Sequence, residues 1–298
     1  TSIFGTELSE ISRMTMHFRK EEYIMGSYLS KMIPIFLGLW FFKYKNLNLR
    51  INLQLFILLI LTLSCMVLSN DRSATYLITF FIFGLIILSK LNIFSKILTV
   101  SVFLLSIILV VFFIPSIKNR YVDSTFMEIL GKNDNNVIEN QEILKGVDKR
   151  LNFFNFKINN NNIYIFSTAH EAHIKTSINM FLNNKLFGVG PNNFRKLCTE
   201  KDYGIYEERG CATHPHHILS QVLAETGILG FSFYIMASFY LIFKLFSQFL
   251  YKNKNFCLTN LYLFYFLTLI PLLPSGNIFN NWYIYSITLP FLYLNLVK

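Results

Sequence analysis

The sequence predicts an all-α, polytopic membrane protein with about seven transmembrane helices and one large polar loop that carries short helices. Its 298 residues are 53% hydrophobic and only 15% charged, which is too apolar for an ordinary soluble domain. The apolar residues gather into runs close to the roughly 17 to 25 residues that cross a hydrocarbon core. Its 32 Phe and 16 Tyr residues suit lipid contact and the headgroup belts. These observations define the class of protein, not its activity.

Seven apolar runs define the predicted membrane parts. Four of them precede the polar loop, at residues 26–42, 51–69, 74–89 and 97–114. Three follow it, at 218–243, 258–274 and 282–297, and Pro271 and Pro274 shorten the sixth run, since proline interrupts helical hydrogen bonding. We therefore predict an N-terminal membrane part over residues 1–114, a polar loop over 115–217 and a C-terminal membrane part over 218–298.

The basic residues indicate topology rather than a nucleic-acid surface. The net charge is +10, but nucleic-acid binding needs basic residues gathered on one soluble face, and here they fall in short connectors between apolar runs. Three alternate connectors hold many of them: Lys43, Lys45 and Arg50, then Lys90 and Lys96, then Lys244, Lys252 and Lys254. The positive-inside rule makes these connectors cytoplasmic and puts the loop 115–217 outside. We expect membrane lipid as a partner and no nucleic acid.

The start of the chain and the first part of the polar loop carry two further expectations. The chain begins Thr1-Ser2 without an initiator Met or a signal-peptide pattern, so we expect this segment to continue a longer protein whose first helices precede it. Residues 131–162 include an Asn-rich patch at 159–162 and are expected to be the least ordered part of the loop.

The cysteines divide by location. Cys65 and Cys257 lie in apolar runs, whereas Cys198 and Cys211 both lie in the outer loop. An exported compartment permits disulfides, and a bridge that closes a loop of this size contributes roughly 3 kcal/mol in the chain-entropy model. We expect Cys198 and Cys211 to be bridged; the alternative is two free thiols.

Five of the six histidines lie in the outer loop and none lies in a span: His170, His173, His214, His216 and His217. A single exposed histidine is usually an ordinary surface residue, but imidazole is also the commonest general base near neutral pH, and the clustering favours that function. The His-x-His-His block has no acidic or Cys partner at a standard zinc spacing. We therefore expect neither a metal nor another cofactor.

The histidine block runs directly into the fifth apolar run, and its proline predicts where a helix begins. Proline favours the first helical position, because its missing N–H group would be unpaired there. With Pro215 at that position, Thr213 or His214 caps the helix, and His216 and His217 fall in its first turn. A helix N-terminus favours a bound anion and opposes protonation of a nearby imidazole. A neutral base beside a phosphate fits this place.

Helical periodicity puts His214, His217, Gln221 and Glu225 on one face of that helix. Glu225 then lies about two turns deep in an otherwise apolar segment. An intramembrane carboxylate is a candidate for substrate binding, and it is equally a candidate for a structural hydrogen bond to neighbouring segments. Both interpretations remain open at this point.

Two arginines are candidates for anion contacts. Arg72 lies in the short outer turn between the second and third runs, where the positive-inside rule gives no reason for a cation. Its guanidinium suits a phosphate-bearing lipid, and the alternative is an ion pair with Asp71. Arg195 follows a turn at 188–191 whose glycines lack the spacing of a nucleotide-binding fingerprint. It is either a second anion contact or a solvated surface residue.

Several short motifs resemble the O-antigen ligase and polymerase superfamily. They are Asn-Asp-Arg72-Ser-Ala after a span, Lys-Leu-Phe-Gly188-Val-Gly-Pro-Asn-Asn-Phe in the outer loop, and His214-Pro-His-His followed by Glu225-Thr-Gly. The resemblance extends over nearly the whole chain, with Glu22-Tyr-Ile-Met-Gly-Ser-Tyr-Leu near its start and Pro274-Ser-Gly-Asn-Ile-Phe near its end. The histidine block is its most specific part.

This resemblance implies a membrane glycosyltransferase of the bacterial inner membrane with about a dozen helices and a periplasmic active face. The implied donor is an undecaprenyl-diphosphate-linked glycan. The acceptor is lipid A core in the ligase branch and another repeat unit in the polymerase branch, and neither branch is thought to use a metal. A transporter or flippase of lipid-linked sugars is the alternative; it would carry ionisable residues in several spans, whereas the polar residues here lie mainly outside.

The resemblance also implies site residues. Arg72 matches the family's first essential arginine, and His216 matches its essential histidine, with His217 in place of the usual Asn. The family's loop arginine appears here as His170 or His173, so the second diphosphate contact is left open. The helical face favours His214 and His217 as the base instead, and the three histidines stay candidates. We expect Arg72 and this block at the same membrane face.

Overall fold

The computed structural model describes residues 2–3, 6–7, 25–43, 49–89, 91–129, 155–158, 161–164, 166–200, 203, 210–250, 255–269 and 274–296. Over these residues the chain forms two compact units. The first comprises residues 1–118, 237–273 and 284–298, and the second comprises 119–236 and 274–283. Lys45, Lys90, Lys252, Lys254 and Pro271, which entered the predicted topology, lie outside the described residues.

Helices dominate the regular structure. In chain order they are α1 (Met25–Lys43), α2 (Leu49–Leu68), α3 (Arg72–Leu88), α4 (Ile93–Phe113), α5 (Pro115–Lys118), a π-helical turn (Asn119–Asp123), α6 (Ser124–Ile129), α7 (Thr168–Asn183), α8 (Phe194–Leu197), α9 (Ile218–Leu250), α10 (Phe256–Leu269) and α11 (Asn281–Leu296). Two short antiparallel pairs accompany them: β1 (Ser2–Ile3) with β2 (Thr6–Glu7), and β3 (Asn155–Ile158) with β4 (Asn161–Tyr164). Strand β3 and the first two residues of β4 fall inside 131–162, the segment expected to be least ordered; the rest of that segment is outside the described residues.

Each of the seven apolar runs contains a helix. Among the described residues, three helical segments are long and apolar enough to cross a membrane: Met25–Lys43, Ile93–Phe113 and Ile218–Gln248. Leu53–Leu68, Arg72–Leu88 and Phe256–Leu269 are apolar but shorter. The predicted total of seven spans therefore stays a prediction. Helix α4 also leaves large apolar side chains exposed along its length, such as Ile93, Leu105 and Phe113, as a lipid-facing helix does.

Close approaches of small residues hold the first unit together. Helix α1 packs on α3 and α10, and α3 packs on α10. A Cβ atom at Gly84 would lie 2.7 Å from the side chain of Leu263, so glycine at this position lets α3 and α10 approach closely without displacing Leu263. The side-chain amide of Asn260 donates a 2.8 Å hydrogen bond to the carbonyl of Pro34. Such a bond satisfies a buried amide where two apolar helices meet.

The second unit has its own small core, formed by Met180, Phe194, Cys198 and Ala224. Helix α9 is broken at Gly227, where φ is 63° and ψ is −166°, a conformation essentially restricted to glycine. The break leaves backbone N–H and carbonyl groups on both sides of Gly227 available for hydrogen bonds to residues 185–190. The N–H groups of Val189 and Gly190 donate to the carbonyls of Ala224 and Glu225, and the N–H group of Ile228 donates to Lys185.

Candidate functional site

The chain around the histidine block turns before helix α9 starts. His216 has φ 57°, in the left-handed region, and α9 begins at Ile218. The backbone N–H group of Gln221 donates to the carbonyl of His217 at 3.0 Å, and that of Ser220 donates to Nδ1 of His217 at 3.4 Å. His217 therefore caps α9. The predicted start at Pro215 is wrong, because a left-handed residue at 216 cannot belong to an α-helix.

Both ring nitrogens of His214 are bonded to the protein. Nε2 lies 3.1 Å from the carbonyl oxygen of Ser275, and Nδ1 lies 3.0 Å from the hydroxyl of Thr213. A carbonyl oxygen can only accept, so Nε2 carries the proton and Nδ1 accepts from Thr213. The backbone N–H group of Ser275 in turn donates to the carbonyl of His216 at 2.7 Å. Ser275 thus fixes this part of the histidine block from two sides.

Four imidazole rings, those of His170, His173, His214 and His216, form what we call the imidazole cluster. The ring centre of His216 lies 4.1 Å from that of His214, 5.5 Å from that of His173 and 5.7 Å from that of His170. The centres of His170 and His173 are 6.3 Å apart. His217 instead packs edge-on against Phe166 at 6.1 Å. His216 is therefore central to the cluster.

Helix α7 supplies two members of the cluster. Ser167 caps it, and the Ser167 hydroxyl lies 2.6 Å from Nδ1 of His170. His170 and His173 are three residues apart, so they share one helical face. The His173 side chain is only 8% exposed and hydrogen-bonds to the backbone of Cys211. The cap and this bond together orient the α7 face toward the histidine block.

Burial favours the neutral form of four histidines, His173, His214, His216 and His217. Desolvation is the largest cause in every case, and it lowers the pKa of His173 to about 4 and that of His214 to about 3, with repulsion from His216 adding to both. Burial also lowers the pKa of His216 and of His217 below 6.5. At neutral pH these four imidazoles are therefore uncharged.

The hydrogen bonds distinguish the three candidate bases. Nδ1 of His217 accepts from a backbone N–H group, so in neutral His217 the proton lies on Nε2 and no nitrogen lone pair is left for a substrate. His214 has no uncommitted lone pair either. Among the described residues, no group donates to or accepts from the ring nitrogens of His216. In neutral His216 one ring nitrogen therefore keeps a lone pair that no described residue uses.

Glu225 is bonded to the loop that follows the Gly188 turn. Its carboxylate is 1% exposed and accepts from the backbone N–H groups of Asn192 and Phe194, each at 3.0 Å. The side-chain amide of Gln221 adds a third bond at 3.3 Å, so Gln221 and Glu225 share a helical face as predicted. The predicted face of four residues is wrong for His214, which precedes the left-handed turn at His216 and lies outside the helix. Arg195 follows on α8 with its side chain exposed, and it interacts electrostatically with Glu225.

Asn277 connects these parts; it belongs to the Pro274-Ser-Gly-Asn-Ile-Phe motif, but it was not singled out as a site residue. Its Oδ1 accepts from the Gln221 amide at 2.6 Å and from the Phe279 N–H group at 2.9 Å. Its Nδ2 donates to Oδ1 of Asn192 at 3.1 Å. The segment with Ser275 and Asn277 thus supports both the histidine block and the loop held by Glu225.

Cys198 and Cys211, the predicted pair, form a disulfide with Cα atoms 5.2 Å apart. Cys198 is part of the core of the second unit, and Cys211 opens the segment that leads to His214. The bridge therefore anchors one end of the histidine block. Cys65 and Cys257 are free thiols.

Arg72 lies in the first unit, where it is the first residue of α3. Asp71 caps this helix: its Oδ1 accepts from the Ala74 N–H group at 3.3 Å and from the Ser73 hydroxyl at 2.9 Å. Gly26 of α1 approaches this turn so closely that a Cβ atom there would lie 2.6 Å from Cβ of Asp71. These contacts fix the start of α3 and leave the Arg72 side chain partly exposed.

The described residues contain no group of three or more His, Cys, Asp or Glu side chains arranged to hold a metal ion. A family model described as O-antigen ligase matches residues 57–235. The match covers well over half of the chain and includes Arg72, Glu225 and the five histidines between residues 170 and 217. No curated protein and no solved structure matches the chain.

Proposed function

The chain belongs to the O-antigen ligase family, and we propose that it transfers a glycan from an undecaprenyl-diphosphate carrier to an acceptor hydroxyl with His216 as the general base. Membership of this family indicates glycosyl transfer of the ligase or polymerase type, with a lipid-linked glycan and an acceptor as the general substrates. It also agrees with the apolar helices in making the chain a multi-pass membrane protein. The carrier, the base and the membrane face belong to the proposal.

The observation that carries the proposal is the hydrogen-bonding state of His216. Nδ1 of His217 is used to cap α9, and both nitrogens of His214 are used by Thr213 and Ser275. Burial lowers the pKa of His216, which keeps the imidazole in the neutral form that a base requires. Its position at the centre of the cluster, next to the N-terminus of a helix, suits a substrate that carries negative charge.

The proposed reaction is a single displacement at the anomeric carbon. The neutral nitrogen of His216 takes the proton of the acceptor hydroxyl as its oxygen forms a bond to the anomeric carbon. The bond from that carbon to the diphosphate oxygen breaks, and the electron pair leaves with undecaprenyl diphosphate. The imidazolium then releases its proton to water. General-base assistance of this kind is typically worth 10² to 10⁴ in rate.

We assign Arg72 to the diphosphate of the donor. A guanidinium binds phosphate oxygens in a bidentate manner that an ammonium group cannot reproduce. Arg195, which is exposed on α8, is the second candidate for this contact. We expect Arg72→Lys to raise KM for the donor and Arg72→Ala to raise it further.

We propose that the reaction takes place at the periplasmic face of the bacterial inner membrane. Lysines in the connectors at 43–50, 90–96 and 244–254 support a cytoplasmic location for that side of the protein. The disulfide between Cys198 and Cys211 supports an oxidising compartment for the side that carries the histidines. The acceptor is then lipid A core for a ligase, or another lipid-linked repeat unit for a polymerase.

The test is transfer by the purified full-length protein in detergent, with lipid-linked glycan extracted from the organism that carries the gene. We expect glycan on the acceptor without a transmembrane gradient, because only an enzyme joins the two in solution. A protein that moves labelled carrier across vesicles but forms no glycosidic bond would be a transporter. Surface glycan of cells lacking the gene separates the branches: loss of all long chains indicates a ligase, and single-unit decoration a polymerase.

A further inference from the structure

We propose that His173 is a positioning residue for His216: its Nδ1 lone pair accepts a hydrogen bond from the His216 ring and so leaves the opposite nitrogen of His216 facing the acceptor hydroxyl. This inference rests on the proposed function and departs from the family resemblance, which puts a diphosphate-binding arginine at His170 or His173. In this proposal His173 orients the base, His216, and does not bind the diphosphate of the donor.

The backbone of Cys211 fixes the protonation of the two His173 nitrogens. The hydrogen bond between the His173 ring and this backbone favours the protonated ring, so the ring donates and the carbonyl oxygen accepts. Nδ1 of His173 has no hydrogen-bond partner, and the donor is therefore Nε2. A neutral imidazole with its proton on Nε2 presents a lone pair on Nδ1. Nδ1 of His173 is thus a hydrogen-bond acceptor.

That lone pair is buried, because the side chain is 8% exposed and Nδ1 is shielded from solvent. An unsatisfied buried acceptor is unfavourable, so the site favours a donor that approaches it. A phosphate oxygen is an acceptor too and cannot satisfy neutral Nδ1. A ring N–H group can. The chemistry of this atom therefore matches a neighbouring imidazole better than an anionic ligand.

His216 is the cluster member that can supply the N–H group. The His214 N–H group is donated to Ser275, and the ring centre of His170 lies farther from that of His173, at 6.3 Å. The ring centre of His216 is closer, at 5.5 Å. Two imidazoles joined by a hydrogen bond of about 2.9 Å have ring centres roughly 5 Å apart. A small ring rotation at His216 closes the bond.

As a consequence, His173 orients the base His216, as in other enzymes where a hydrogen-bonded partner sets the tautomer of a catalytic histidine. When His216 donates one N–H group to His173, its other nitrogen carries the lone pair. When that nitrogen takes the proton of the acceptor, the His173 lone pair stabilises the imidazolium. The disulfide to Cys198 holds Cys211, and with it the carbonyl that starts this line of hydrogen bonds.

A matched pair of amide variants tests the proposal. In His173→Asn the side-chain oxygen can take the place of Nδ1, whereas in His173→Gln the amide can keep the bond to Cys211 but offers no acceptor near Nδ1. We expect Asn to keep kcat within about tenfold, and Gln to lose a further 10- to 100-fold because the base is no longer aligned. KM for the extracted lipid-linked donor should be unchanged in both.

A third variant, His173→Arg, restores the residue type of the family. If His173 binds the diphosphate, Arg should match or exceed the wild type, and the amide variants should raise KM with little change in kcat; either result overturns the proposal. Equal kcat for Asn and Gln also overturns it. Thermal unfolding and a non-reducing gel check folding and the disulfide, and His173→Leu replaces Gln if Gln does not fold. The His216→Ala variant is measured in parallel: if it retains transfer, the proposed function fails instead.

Discussion

The imidazole of His214 donates a 3.1 Å hydrogen bond from Nε2 to the carbonyl oxygen of Ser275, 61 residues further along the chain. The bond ties the histidine block to the turn between α10 and α11. Since Nδ1 accepts from Thr213, His214 has no lone pair left for proton transfer. His214 therefore holds the histidine block in place.

We therefore expect His214→Gln to retain transfer within about tenfold of the wild type, because the Gln amide can also donate to Ser275. His214→Leu should lose that bond and destabilise the protein by about 1 kcal/mol, measured by the unfolding midpoint. Loss of transfer in His214→Gln with an unchanged unfolding midpoint would show that His214 takes part in the chemistry.

The pH dependence of the reaction follows from the buried imidazole of His216. Burial lowers its pKa below 6.5, and a base acts in its neutral form. The value of kcat/KM should therefore stay constant as pH falls to 6.5 and decline only below it, through the pKa of the free enzyme. The measurement is the initial rate at low donor concentration between pH 4 and 8. A decline centred above pH 6.5 would be inconsistent with His216 as the base.

The backbone break in α9 makes Gly227 sensitive to substitution. A Cβ atom there would meet the carbonyl of Leu186, and the backbone conformation is unfavourable for any other residue. We expect Gly227→Ala to cost at least about 1 to 3 kcal/mol and to lower the yield of folded protein. Ser232→Ala, on the exposed side of the same helix, is the control and should change stability by less than about 0.5 kcal/mol. Similar unfolding midpoints for both variants would contradict the strained break.

The disulfide should contribute to both stability and activity. It closes a loop with a sequence separation of 13, which corresponds to about 3 kcal/mol in the chain-entropy model. Cys198→Ser with Cys211→Ser should lower the unfolding midpoint accordingly and reduce kcat more than it changes KM, because the Cys211 carbonyl bonds to His173. The control is Cys65→Ser, a free thiol of the first unit. Wild-type stability and kcat in the double variant would show that the disulfide contributes to neither.

Apolar periodicity and residue type predicted much of this architecture. Each apolar run contains a helix, because hydropathy reports directly on burial in lipid. The pairing of Cys198 with Cys211 was predictable because both cysteines lie in the same polar loop, whereas Cys65 and Cys257 lie in apolar runs. The start of α9 was missed, because proline at 215 favours a helix start whereas the left-handed turn at His216 has no signal in its residue type.

The sequence could not predict the hydrogen bonds that distinguish one candidate histidine from another. Ser275 and Asn277 are far along the chain from their partners, and a polar turn does not specify what it contacts. Glu225 could be identified as an intramembrane carboxylate, but its bonds to the N–H groups of Asn192 and Phe194 depend on the loop conformation that Gly188 and Gly190 permit. Contacts between distant segments are set by tertiary packing, which local patterns do not encode.

The most direct test of the central claim is the rate of glycan transfer by purified His216→Ala, compared with the wild type and with His217→Asn. Asn at 217 can still cap α9, so this variant should transfer glycan at near wild-type rate. His216→Ala should insert and unfold like the wild type, with its rate lower by 10² to 10⁴. Transfer at the wild-type rate by folded His216→Ala would contradict the assignment of His216 as the base.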